Sequence, residues 1–277
     1  MPPINYSLSY FSYLCIMIKA LFFDIDGTLV SFENHVIPSS AVEALDEAHK
    51  KGIKVFIATG RPKAIINNLG QLEEHGIIDG YVTMNGAYCF VDDEIVFSQP
   101  IEHQSVVSIG KYAQEKGIAC IFVPDKEIRV CNADDFLIQI FYERLHVDKM
   151  PETTFEEGWK GDIYQVTPFF NIEQEAEVMS KVSGVVGNRW HPSFTDITAT
   201  GINKSRGVQL MAEHFHINKD EVMCFGDGGN DIPMLEYAGI GVALGNANDE
   251  VKSHADYITT HVDENGVANA LKHFGII

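Results

Sequence analysis

Positive charge is scarce in this 277-residue chain: 20 lysines and arginines stand against 39 aspartates and glutamates, a formal net charge of −19. That balance excludes the broad basic surface by which proteins neutralise nucleic-acid phosphates or hold anionic membranes. It is no sign of a cationic substrate, and an anionic substrate would need positive charge concentrated locally. Long apolar runs are missing too, and no stretch approaches the roughly 20 residues of a membrane-crossing helix. The five cysteines, Cys15, Cys89, Cys120, Cys131 and Cys224, are odd in number and form neither a C-x-x-C pair nor a His-Cys cluster. This spacing predicts a reducing, cytoplasmic setting. The chain carries no H-E-x-x-H, no G-x-S-x-G and no Walker lysine, so zinc-peptidase, serine-hydrolase and nucleoside-triphosphatase chemistries lack support. Residues 1–16 have no basic n-region and no small-residue cleavage site; they read as an extension without a function of their own.

With 45% hydrophobic residues, the chain can bury a substantial core. The stretch Ala20 to Phe23 is apolar without interruption and reads as a buried parallel strand ending in Asp24-Ile25-Asp26-Gly27-Thr28. Two carboxylates two residues apart share a face of an extended segment, and Gly27 lets the chain turn away. At an effective dielectric near 20, like charges about 4 Å apart repel by roughly 4 kcal/mol, so the pair needs a shared proton or a cation. A helix from Pro38, a strand over 53–58 ending in Thr59-Gly60-Arg61, a helix through Ile65, Ile66, Leu69 and Leu72, and a strand over 81–84 ending in Asn85-Gly86 follow. Such alternation predicts an α/β fold with a Rossmann-like, doubly wound parallel sheet. From Ala87 hairpins mix with helices, which predicts an inserted α+β cap domain over 87–189 between core segments 17–86 and 190–277. The core pattern resumes with a helix from Lys204 and a strand over 222–225 leading into Gly226-Asp227-Gly228-Gly229-Asn230-Asp231. His103, His146, Trp159, Trp190 and His191 read as packing or surface groups of the insert.

Asp24, Asp26, Asp227 and Asp231 arriving at one place from separate strands call for a hard cation, and Mg²⁺ suits an all-oxygen site facing phosphate better than Ca²⁺. A carboxylate beside such an ion can attack phosphorus, a second can move the leaving-group proton, and a lysine with a threonine hydroxyl can hold the phosphoryl oxygens. The motifs D-I-D-G-T, A-T-G-R, a lone lysine after a long insertion, and G-D-G-G-N-D resemble, in that order, those of the haloacid dehalogenase superfamily. The insertion is similar to that of its Cof-type subclass IIB. The resemblance covers about Met17 to Ile277 and implies a phosphatase of small phosphorylated metabolites, with sugar phosphates expected. It implies Asp24 as nucleophile, Asp26 as general acid/base, and Thr59 and Lys204 on the phosphoryl group. It also implies Mg²⁺ held by Asp24, the Asp26 backbone carbonyl and Asp227, with Asn230 and Asp231 orienting that shell. Arg61, Asn85 and Gly86 are expected near the substrate; Arg61 could instead form a salt bridge within the core. The partner expected is a small phosphate ester, with no nucleic acid and no membrane, and the oligomeric state is open. A phosphomutase or phosphotransferase using the same aspartyl-phosphate, or a sugar-phosphate-binding protein without catalysis, are the alternatives.

Overall fold

The computed structural model describes residues 18–125, 127–144 and 150–277, so the expectations for residues 1–16 and for His146 lie outside the described residues. Two sheets organise the molecule. The larger has eight strands: β1 (Ala20–Phe23), β2 (Lys54–Ala58), β3 (Ile78–Thr83), β4 (Tyr88–Val91), β5 (Glu94–Ser98), β12 (Val222–Gly226), β13 (Ile240–Ala243) and β14 (Tyr257–Ile258). Their order is β14-β13-β12-β1-β2-β3-β4-β5. All are parallel except the β4–β5 hairpin at one edge. The second sheet contains β6 (Cys120–Val123), β7 (Arg129–Cys131), β8 (Glu152–Thr153), β9 (Gln165–Pro168), β10 (Val185–His191) and β11 (Phe194–Ala199). Their order is β10-β11-β9-β6-β7-β8.

The uninterrupted apolarity of β1 has a structural cause: every one of its residues is buried. Leu21 and Phe23 point to one face of the sheet, where the Ser39–Lys50 and Gly266–His273 helices pack through Leu45 and Leu271. Ala20 and Phe22 point to the other, covered by Val208 and Met211 of the Lys204–His214 helix. Phe22 stacks on Phe56 at 4.6 Å and Phe23 on Phe225 at 4.4 Å between ring centroids, joining β1 to both neighbours. Burial of each such side chain contributes roughly 1.5–3 kcal/mol. The strand is thereby held from both sides in a fixed register.

Three local expectations differ from the structure. The helix predicted through Ile65–Leu72 is a 3₁₀ turn (Lys63–Ile65) and a separate short helix (Gly70–Glu74). Asn67, Asn68 and Gly70 interrupt it, residues whose helix propensity is low. The sequence around Asp134 to Leu145 also reads as one helix, but the structure makes three α-helical residues (Asp135–Leu137) and then widens into a π-helix over Ile138–Arg144. Strand β11 is not anticipated, because Thr195, Asp196 and Thr198 give it a polar composition, although all six of its residues are buried.

The sheets also exchange later in sequence than the boundaries at 87 and 189 anticipate. The hairpin over 88–98 extends the larger sheet, pairing Thr83 with Tyr88 and stacking Tyr81 on Phe90 at 5.1 Å. β11 belongs to the second sheet. The chain passes from one sheet to the other near Gln99 and returns near Thr200. These crossings run side by side, with Gln99 Nε2 3.5 Å from the Thr200 carbonyl. A hairpin motif in sequence does not say which sheet edge it joins. Among the described residues no helix is long and apolar enough to cross a membrane.

Candidate active site

Three adjacent parallel strands, β12, β1 and β2, end at the same level: Phe23 pairs with Phe225 on one side and Ile57 on the other. Their tips carry Asp227, Asp24 with Asp26, and Thr59. The Asp24 amide donates to the Phe225 carbonyl at 3.1 Å, continuing the ladder one residue past the strand. The chain then reverses: the amides of Leu29 and Val30 donate to the Ile25 carbonyl, and the Gly27 amide to that of Val30. Gly27 has φ +82°, and a Cβ there would fall 2.3 Å from Asp227 Oδ2. Glycine is required on both counts.

Lys204 opens its helix behind an Asn203 cap, whose side chain accepts the Arg206 amide at 2.9 Å. Its Nζ lies 2.6 Å from Asp24 Oδ1 and 2.6 Å from Asp231 Oδ1, with the side chain wholly shielded from solvent. The other Asp231 oxygen accepts the amides of Asp227 and Gly228 at 2.9 and 2.8 Å. Asp231 therefore fixes the lysine and the Asp227 loop together. Asp227 is held by the Thr28 hydroxyl, which donates to Oδ1 at 2.8 Å. Asn246 donates to the Gly27 carbonyl at 2.7 Å and approaches Asp227 Oδ2 at 3.3 Å. Thr28 stands inside the first motif, which assigns it no role of its own. Asn246 follows β13 in a loop whose only signal is its position at a strand end.

Burial pushes Asp24 up to about 7 against the downward pull of Lys204, with the charges of Asp231 and Asp26 adding to the rise. Burial, then the charges of Asp231 and Asp24, pushes Asp227 up to about 8. Burial alone would lower Lys204, but the two carboxylates outweigh it and raise it. The folded Asp24 and Asp227 thus bind protons that the unfolded chain releases. The stability they contribute is present in full below their ordinary value of 3.8 and is lost as pH rises through about 7 and 8. In EDTA, Tm should fall between pH 5.5 and 8.5, and Asp227→Asn should flatten that fall. A metal-free Tm that rises over this range would contradict this assignment.

Asp26 is gripped by Arg61, whose Nε and Nη2 donate to its two oxygens at 2.7 and 2.8 Å while Nη1 donates to the Ile65 carbonyl at 3.1 Å. Arg61 thus forms a salt bridge with Asp26 and also borders the cavity described next. Thr59 is buried, its hydroxyl accepting the Arg61 amide at 3.1 Å. Asn230 donates to Asn85 Oδ1 at 3.1 Å. A cavity of about 410 Å³ is bounded on one side by Asp24, Asp26, Thr59, Arg61, Asp227 and Asn230, and on the other by side chains of the second sheet. Asn85 and Gly86, expected near the substrate, do not line it. Gly86 (φ +98°) is buried, and a Cβ there would meet the Asn203 carbonyl at 2.4 Å, so it seats the strand end against the Lys204 helix.

Carboxylate oxygens of Asp24, Asp227 and Asp231 lie within 4.8 Å of one another. Both Asp231 oxygens are engaged by Lys204 and by amides, whereas Lys204 meets only one oxygen of Asp24. The oxygen-only donor set and the raised proton affinities of Asp24 and Asp227 fit a divalent cation held by those two residues.

A doubly wound parallel sheet with carboxylates at adjacent strand tips and a buried lysine between them defines a class of phosphoryl-transfer hydrolases. Residues 21–271 match the family model of haloacid dehalogenase-like hydrolases, and the chain belongs to that family. Within it the protein is a phosphatase; the family generally uses a divalent metal, and the acidic cluster described above is present here. It is 33% identical over 262 residues to the Bacillus subtilis protein YkrA, whose name places it provisionally among phosphatases; the match covers 94% of this chain and 98% of YkrA. The solved structure of the subclass IIB sugar phosphatase BT4131 is similar at 52% identity and a TM-score of 0.90, covering 94% of this chain and all of that one. The phosphatase BT1666 from Bacteroides thetaiotaomicron matches at 38% identity and a TM-score of 0.84, over 94% and 96% of the two chains.

Proposed function

We propose that this phosphatase is a Mg²⁺-dependent phosphomonoester hydrolase of small phosphorylated metabolites, sugar phosphates foremost, acting through an aspartyl-phosphate on Asp24. The observation that carries the reading is the position of Asp24 on the cavity wall, one oxygen on Lys204. In the first step an Asp24 oxygen attacks phosphorus, the ester P–O bond breaks, and Asp26 gives a proton to the departing oxygen. In the second, Asp26 takes a proton from the water that attacks the aspartyl-phosphate, which frees inorganic phosphate and restores Asp24. Asp26 is occupied by Arg61 in this structure, so Arg61 has to yield at least one Asp26 oxygen when the ester binds. Lys204 and the Thr59 hydroxyl steady the phosphoryl oxygens. Asp24, Asp227 and the Asp26 backbone carbonyl would hold Mg²⁺, and Asn230 and Asp231 would orient them. When bound, the ion offsets the joint charge of carboxylates and phosphate. The second sheet acts as a cap that excludes water and meets the leaving group.

The names of BT4131 and YcsE support a phosphorylated polyol as substrate: the first is a sugar phosphatase. The second, from Bacillus subtilis and 27% identical over 257 residues, is a 5-amino-6-(5-phospho-D-ribitylamino)uracil phosphatase. Buried free thiols at Cys89, Cys120, Cys131 and Cys224 support a reducing cytoplasm. The test is phosphate release from a panel of phosphate esters. Release without any added acceptor is expected, stopped by EDTA and restored by Mg²⁺. Turnover only with a sugar acceptor would show a transferase instead, and full activity in excess EDTA would refute the metal assignment.

A further inference from the structure

The turn that follows β3 is strained. Met84, Asn85 and Gly86 all have positive φ, at +50°, +54° and +98°, a backbone region that residues other than glycine rarely occupy. All three are buried. Strain of this kind persists only where the surroundings over-determine it, and it gathers at functional sites. The surroundings here are loops of the candidate active site. The Met84 amide donates to the Arg61 carbonyl at 3.3 Å and the Asn85 amide to the Thr59 carbonyl at 3.0 Å. Gly86 abuts the Asn203 carbonyl at the start of the Lys204 helix.

The Asn85 side chain reaches further. β3 and β12 are separated in the sheet by β1 and β2, yet Asn85 Oδ1 accepts from Nδ2 of Asn230, beyond β12, at 3.1 Å. Asn230 is confined on its other side too: a Cβ on Gly228 would fall 2.8 Å from its Oδ1, so the carboxamide is wedged between the Asp227 loop and the β3 turn. A Cβ on Gly60 would stand 3.2 Å from Asn85 Nδ2. Asn85 thus lies between the loop that carries Thr59 and the loop that carries Asp227.

This placement has a cost. Asn85 Nδ2 is shielded from solvent and has no hydrogen-bond partner. Exchanging its oxygen and nitrogen does not repair the defect, because Asn230 must then turn as well and the Asn85 oxygen becomes the unmatched atom. Glycine would suit the φ of +54° better and would bury no unmatched donor. The backbone conformation therefore does not account for the carboxamide; its hold on Asn230 does.

Resting on the hydrolase reading above, we propose that Asn85 is a positioning residue for the phosphoryl-transfer step. It lies outside the cavity wall, and it fixes Asn230, which borders the cavity together with Asp227. The Thr59 and Asp227 loops thereby keep their alignment when Arg61 lets go of Asp26. Groups aligned for the transition state rather than for ground-state binding act on kcat.

The experiment is a double-mutant cycle of Asn85→Gly and Asn230→Ala. It reads kcat and KM on p-nitrophenyl phosphate and on a hexose 6-phosphate, and Tm on each variant. Asn85→Gly should lower kcat about 10-fold on both esters, leave KM within about threefold and hold Tm. The double variant should turn over within about threefold of Asn230→Ala alone, because Asn85 acts through Asn230. A role in folding alone would lower Tm and spare kcat. Losses that multiply in the double variant, or an Asn85→Gly enzyme whose kcat stays within about threefold of the parent, overturn the proposal while the hydrolase reading stands. Should Asn85→Gly not fold, Asn85→Ser, one bond too short to meet Asn230, runs the same cycle. Failure of both to fold assigns the turn to stability and overturns the positioning role as well. A parent that releases phosphate from neither ester overturns the hydrolase reading and the positioning role with it.

Discussion

Asp24→Asn should lower kcat by at least about 10³-fold on every phosphate ester, sugar or aryl alike. The carboxamide is too weak a nucleophile to displace an alkoxide from phosphorus, so no leaving group compensates. The substitution is otherwise mild. The carboxamide oxygen of the variant can still accept from Lys204, whose second partner, Asp231, is untouched. The change also removes one of the charges that raise Asp227. Tm at neutral pH should therefore stay level or rise, and the variant should still bind phosphate esters. Measuring kcat by phosphate release and binding by calorimetry separates the two effects. Residual activity within about tenfold of the parent would mean that Asp24 is not the nucleophile.

Lys204→Met should damage both stability and turnover. The ammonium is fully buried between two carboxylates. Methionine fills much of the same volume but leaves both acids without their cation in a place that solvent does not reach. Breaking a buried ion pair from one side costs about 3–5 kcal/mol, more than the loss of an exposed pair by several fold. Urea unfolding at pH 7.5 should show that loss as a lower midpoint with an unchanged slope. A fall in kcat of about 10²- to 10³-fold should accompany it, because the phosphoryl oxygens lose their fixed positive partner. A variant that keeps its midpoint and its rate would show that Lys204 is a structural passenger.

The parts of this protein written in its sequence are those where one residue's chemistry has no cheap substitute. An uninterrupted apolar strand followed by two acids and a glycine admits few structures, and β1 with its turn is found as expected, including the positive φ at Gly27. The gathering of Asp24, Thr59, Lys204, Asp227 and Asp231 follows from parallel strands whose loops all leave at the same end. Partnerships are less legible. Nothing local announces that Arg61 takes both oxygens of Asp26, or that Asn246 reaches across to Gly27, because such pairs are set by tertiary packing across dozens of residues. The membership of the β4–β5 hairpin is hidden for the same reason. β11 is masked by its composition, since a buried strand that carries Thr195, Asp196 and Thr198 has neither the run nor the alternation that marks strands.

The position of β1 in the larger sheet has a consequence for how activity and structure are lost. β1 lies fourth among eight strands, with β12 and β2 hydrogen-bonded on either side of it, and these three strands deliver Asp24, Asp227 and Thr59. Fraying begins at sheet margins, here β14 and β5, and small openings there leave the three central strands paired. Opening at either margin alone leaves the three tips side by side. Separation of Asp24, Asp227 and Thr59 from one another is thus bound to disruption of the central strands and not to fraying at the margins.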